Sequence, residues 1–202
     1  MENKGRTQTE RSETSRAALI AAARTLFAER GYASVSTPEI VAAAGLTRGA
    51  LYHQFADKTA LFQAVVERVE GEVMRRVQHV VGEGGGRDPL AALVSGAEAW
   101  LEACADPRVQ RIVLIDAPAV LGWAHWREIG HRYGLGLVVA TLRHAMDLGL
   151  IPDQPVAPLA HALVGAIDEA ALYIAAAQEP GPARAEMAAV LRRLVRALAD
   201  ST

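Results

Sequence analysis

The sequence predicts an all-α protein, and three observations carry that reading. Alanine dominates, β-branched residues are modest in number, and periodic apolar patterns run nearly end to end. Hydrophobic residues make up 51% of the 202 positions and no long stretch lacks them, so a substantial core is available and disorder is expected only at the ends. About nine helices are expected: three in an N-terminal helix-turn-helix unit and the rest in a larger helical body.

The chain opens on a polar stretch, "MENKGRTQTERSETSR", without the apolar core of a secretion signal. Residues 1–11 read as a flexible arm carrying Lys4, Arg6 and Arg11. "TSRAALIAAARTLFAERGY" then sets Leu19, Ala23, Leu26 and Phe27 on one helical face, and Gly31 follows as a residue able to leave the helix left-handed. In "STPEIVAAAGL", Thr37 before Pro38 reads as a capped helix start, Ile40 and Val41 face inward, and Gly45 ends the helix. "LTRGALYHQF" begins another helix with Thr47 as its cap. Two short helices separated by a glycine turn, behind a longer one, make a helix-turn-helix arrangement over residues 12–57.

The body is expected to span residues 58–202. Asp57 reads as the cap of a long helix over 58–81 with Leu61, Phe62, Val65, Val69, Val73, Val77 and Val80 inward. "GEGGGR", residues 82 to 87, reads as a flexible break. Five further helices are expected at about 88–104, 107–114, 117–148, 156–178 and 183–199, the third interrupted near "GWAHWREIGHRYGLG".

Charge and cysteine usage exclude several classes. The net charge is −2, which argues against a general nucleic-acid coat. Residues 1–60 nevertheless hold eight Lys or Arg against six Asp or Glu, so a mildly basic head sits on an acidic body. Cys104 is the only cysteine, no disulfide is possible within the chain, and no apolar run is expected to reach membrane-spanning length. The sequence reads as a cytoplasmic protein.

"GLTRGALYHQF" meets the requirements of a recognition helix, and its pattern alone reads equally as a plain helical corner. A recognition helix sets its N-terminal residues against base edges while neighbours grip phosphate. Thr47 can donate to a phosphate, and Arg48 can reach guanine bidentately or pair with phosphate. Gly49 and Ala50 leave room for the groove wall or a thymine methyl, and Tyr52 and His53 add donors on the flank. Leu51 and Phe55 read as core. Lys58 opposes the helix dipole in the first turn of its helix, so it needs another partner, and phosphate is an obvious one.

The stretch "GYASVSTPEIVAAAGLTRGALYHQFADKTALFQAV" resembles the DNA-binding domain of TetR-family transcriptional regulators, over about residues 12 to 66. The resemblance implies a three-helix DNA-binding head, a helical ligand-binding and dimerisation body, and a homodimer reading a palindromic operator. Thr37, Thr47, Arg48, Gly49, Tyr52, His53 and Lys58 match the family's DNA contacts by position, and Ala50 takes a place that holds a base-reading polar residue in some members.

"LIDAPAVLGWAHWREIGHRYGLG" gathers Asp116, Trp123, Trp126 and Tyr133, with Trp100 and His144 on adjoining helices. These six residues are the candidate lining of a small-molecule pocket, the tryptophans reading equally as ordinary core. Leu159, Leu163, Ala166, Ala170, Tyr173, Leu191, Leu194 and Leu198 stripe the last two helices, as core or as a homodimer interface. His125 and His131 lie six residues apart, unlike metal ligands on one helix, and no nucleophile or phosphate-loop motif is present. No cofactor, metal or enzyme activity is therefore expected. The expected function is a ligand-responsive regulator, a repressor released from DNA by a small, largely apolar effector. A ligand-independent architectural DNA binder and an enzyme with a relic head are the alternatives.

Overall fold

The computed structural model describes residues 8–84 and 88–199. Among them the secondary structure is helical throughout, without a strand. The first helix, α1 (Gln8–Arg30), begins before the expected boundary, so residues 8–11 are helix rather than arm. Residues 1–7, with Lys4 and Arg6, lie outside the described part. Gly31 follows with φ +79°, the left-handed exit its position called for.

Helix α2 (Thr37–Ala43) is capped one residue earlier than the sequence reading placed it. Ser36 is the cap and accepts from the Glu39 N–H, while the Glu39 carboxylate accepts from the Ser36 N–H at 2.8 Å. This reciprocal box needs Glu three residues after the cap, which selects Ser36 over Thr37. Gly45, at φ +65°, turns the chain into α3 (Arg48–Gln54), capped by Thr47 as expected. Asp57 caps α4 (Lys58–Gly84) by accepting from the Ala60 N–H at 2.7 Å. Helix α4 therefore runs through Gly82, Glu83 and Gly84, the first half of the expected flexible break; residues 85–87 lie outside the described part.

The body continues with α5 (Pro89–Cys104), started by Asp88 and Pro89. Next comes one contiguous helical stretch: α6 (Pro107–Val109), a wide π turn over Gln110–Asp116, and α7 (Ala117–Leu121). Gly122, with φ +83°, breaks the chain and places the expected interruption. Helices α8 (Trp123–Asp147), α9 (Val156–Ala176) and α10 (Pro180–Ala197) complete the fold. With the stretch 107–121 counted once, the described residues form nine helices.

Helix α9 overturns one expectation, since it is long and apolar enough by length and composition to cross a membrane. In the fold it packs against α8, α10 and α5 instead. Helix α10 is tied to α5 by Arg184–Glu102 and Arg192–Glu98 ion pairs.

One buried cluster joins the head and body. It runs from Leu19, Phe27, Ile40, Leu51 and Phe55 through Phe62 and Val65 on α4 to Trp100, Trp126 and Ile174. A second cluster around Leu93, Leu142, Ala145, Ile151, Ala160 and Val195 closes the far end. The turn at residue 57 thus divides the chain without a gap in the core.

Candidate nucleic-acid interface and ligand cavity

Helix α3 is held by its apolar side and offers its polar one. Leu51 and Phe55 are buried. The last turn is tied to α1: the Gln54 amide donates to Ser12 Oγ at 2.7 Å, and Arg16 donates to the Gln54 carbonyl at 3.2 Å while covering the Phe55 ring. Thr47, Arg48, Gly49, Tyr52 and His53 are exposed, and Ala50 and Thr37 half-buried. The Arg48 guanidinium lies 5.6 Å from the Tyr52 ring centre. Arg48 first, and Thr37 second, hold the Tyr52 hydroxyl below its ordinary pKa. Arg48, Tyr52 and Thr37 therefore form one polar cluster bridging α2 and α3. A Cβ added at Gly49 would meet only Thr47 Oγ1, at 3.8 Å, so the protein's own packing does not require glycine there.

Lys58 already has a partner within the protein. Its Nζ donates to the Tyr32 carbonyl at 2.6 Å and sits 4.0 Å from the Tyr32 ring centre. Burial lowers its pKa, with Asp116 opposing the shift. The need for a counterpart, which pointed to phosphate, is met by Tyr32.

The body holds a partly open cavity of about 90 Å³. That is several times the ~10–15 Å³ one water needs. Its walls come from α4, α5, α8, α9 and α10, with Met74, Val77, Leu137 and Ile167 among the apolar side chains. Glu70, Arg127 and Asp168 line it as well. Burial, and secondarily Asp168, pushes the Glu70 carboxyl up to about 8. Burial raises Asp168 to about 6, with Arg127 pulling it down.

A helix-turn-helix head on a helical body is also what comparison with known proteins returns. A family model described as "Tetracyclin repressor-like, C-terminal domain" matches residues 90–198, and one described as "Bacterial regulatory proteins, tetR family" matches residues 19–65. This chain belongs to the TetR family of transcriptional regulators.

A TetR-family regulator from Pectobacterium atrosepticum has a similar crystal structure, with a TM-score of 0.83 and 36% identity over 96% of this chain and 97% of that one. The Transposon Tn10 TetC protein of Escherichia coli is 26% identical across 99% of this chain and 100% of its own length. The transcriptional repressor BepR of Brucella suis is 36% identical over 54% of this chain and 51% of its own.

Within this TetR body the six predicted pocket residues separate. Trp100 and Trp126 line the cavity, and their Nε1 atoms are buried without a hydrogen-bond partner. Trp123 does not line it: the side chain is 53% exposed and rests on Trp126, ring centres 4.7 Å apart. Tyr133 packs over Gly71 on α4, outside the lining, and His144 is exposed. Asp116 instead accepts the Tyr32 N–H at 2.8 Å and ties the body to the head. Neighbours in sequence here fall on opposite faces of the helices, and only one face meets the cavity.

The predicted interface residues divide similarly. Ala170 and Leu191 are buried inside the chain, which removes them as partner contacts. Leu163, Leu191 and Leu194 line the cavity. Leu159 and Leu198 pack against the far cluster and Ala166 against the main core. Tyr173 on α9 and Leu194 on α10 remain exposed, as does Val190 one turn before Leu194.

Glu70, Arg127 and Asp168 escaped the sequence reading. A signal was present: Glu70 interrupts the apolar stripe of Val66, Val73 and Met74, and Asp168 sits between Val164 and Ala171. A charge set within a helix's apolar face is a buried polar group awaiting a partner.

Proposed function

We propose that the chain is a ligand-responsive repressor that binds a palindromic operator as a homodimer and is released by a small, largely apolar effector. The observation that carries this reading is the placement of α4. Its first turn packs in the head beside Tyr32, and its Glu70, Met74, Val77 and Val81 form one wall of the cavity. A ligand that prefers a shifted α4 would move the head with it. A coupling of roughly 1–3 kcal/mol, about 5- to 150-fold in DNA affinity, is typical of such linkage.

On the DNA side, Thr47, Gly49, Tyr52, His53 and Thr37 grip the backbone, and Ala50 lies against the groove wall. Arg48 is the base reader, releasing Tyr52 to reach a guanine edge. Lys58 reaches phosphate only by leaving the Tyr32 carbonyl, so its main part is to hold the head. Tyr173, Val190 and Leu194 are exposed apolar side chains of the last two helices available to the partner subunit, whose two-fold symmetry would set two α3 helices about one DNA turn apart.

Selection of bound duplexes from a random pool tests the reading. Two inverted half-sites about one helical turn apart are expected, with Arg48→Ala relaxing one base position in each. A pool enriched without symmetry, or enriched only by salt-sensitive affinity, would point to the architectural alternative. A thermal-shift screen of apolar metabolites, followed by DNA titration with each hit, tests release.

A further inference from the structure

The cavity has a polar end whose groups lack mates. Glu70, from α4, is only 2% exposed and lines the cavity together with Asp168 of α9. Among the described residues neither carboxyl takes part in a hydrogen bond or an ion pair. Arg127 acts on Asp168 through space, but its guanidinium contact is with His131 Nε2 at 3.3 Å. The Trp100 and Trp126 indole N–H groups are buried and unpartnered. Polar groups withdrawn from water are ordinarily satisfied, and two unpaired carboxyls on one cavity call for a ligand that pairs with them.

The charge state narrows the ligand. With Glu70 near 8 and Asp168 near 6, the pair holds about one proton at neutral pH. The remaining carboxylate and Arg127 then cancel. A charged ligand entering this net-neutral, apolar-walled space would lose its hydration without an opposite net charge to receive it. A hydroxyl donates and accepts at once.

Resting on the reading of this cavity as the effector site, we propose that it takes a neutral, largely apolar molecule bearing a hydroxyl group, seated between Glu70 and Asp168. The hydroxyl proton goes to the Asp168 carboxylate, and the hydroxyl oxygen accepts from the Glu70 acid. Trp100, Trp126 and the aliphatic walls hold the apolar remainder.

The test measures tryptophan-fluorescence quenching of the full chain by three probes of similar size: 4-ethylphenol, ethylbenzene and 2-phenylethylammonium. The phenol is expected to bind about tenfold or more tighter than either other probe, the worth of one charge-assisted hydrogen bond. The double variant Glu70→Leu with Asp168→Leu should lose that preference while still binding ethylbenzene. Thermal unfolding verifies its fold, and Glu70→Gln with Asp168→Asn, which keeps the shape, should retain part of the preference. Equal binding of phenol and ethylbenzene overturns the hydroxyl assignment, and tightest binding by the ammonium replaces it with a cation site. If no probe binds, the cavity reading fails along with it. A phenol that binds with the expected preference yet leaves DNA affinity unchanged upholds the site and removes the regulatory reading alone.

Discussion

The Asp116 carboxylate accepts the backbone N–H of Tyr32 at 2.8 Å, joining the end of the π turn in the body to the exit of α1 in the head. Tyr32 gathers the junction. Its carbonyl accepts from Lys58, its hydroxyl pairs with Thr59 at 3.0 Å, and its ring packs on Phe27 and Phe62. Asp116→Ala should cost about 1–3 kcal/mol in denaturant unfolding, the penalty for orphaning a part-buried donor. It should also reduce the effect of effector on DNA affinity more than it reduces either binding alone. An unchanged unfolding midpoint would show that the bond carries no strain between head and body.

Ser36→Ala should destabilise the protein by about 1 kcal/mol through loss of the α2 cap. The capping box also holds Glu39 far below its usual range, at about 2, through Ser36 first and Arg30 after it. A carboxylate with a lowered pKa stabilises the fold above its unfolded value near 4.5 and loses that contribution as pH falls toward 2. Acid titration of the Glu39 carboxyl by NMR should show the low midpoint in the parent and a rise in Ser36→Ala.

Gly49→Ala separates the needs of folding from those of DNA. The added Cβ meets nothing closer than 3.8 Å, and alanine is the better helix former, so stability should rise by up to about 1 kcal/mol. Operator affinity should fall, because the same Cβ stands between the helix and the groove wall. Equal or tighter DNA binding would mean the backbone does not approach closely there.

Glu70 sets a pH dependence of opposite sign. Its folded pKa is raised from 4.5 to about 8, so the native state holds a proton that the unfolded chain has released. Stability should fall as pH rises from about 4.5 to 8, by no more than about 1.4 kcal/mol per pH unit for this one proton. Asp168 adds to the slope between its ordinary value and about 6, and the buried Cys104 thiol, pushed up by the same burial, stays protonated throughout. Unfolding of Glu70→Gln across this range should be markedly flatter. A parent protein with no slope would contradict burial of an unpaired Glu70.

Much of this molecule follows from local chemistry along the chain. Thr47 and Asp57 cap their helices, Gly31 and Gly45 take positive φ, and Leu51 and Phe55 face inward, because each depends on neighbours within about four residues. The helix-turn-helix and the polar face of α3 are legible for the same reason, and family likeness ties them to DNA. The cap at Ser36 was equally local, and the box with Glu39 was its signal. What the tertiary structure alone decided is which faces converge. Asp116 and Trp126 lie ten residues apart, yet one meets Tyr32 and the other the cavity. Glu70 and Asp168 come together across 98 positions of chain, each a lone charge on an apolar face until α4, α8 and α9 pack. Helical periodicity marks which side of a helix is buried, but it carries no information about which other helix buries it. That is settled by how the helices pack, and the cavity is the space their packing leaves.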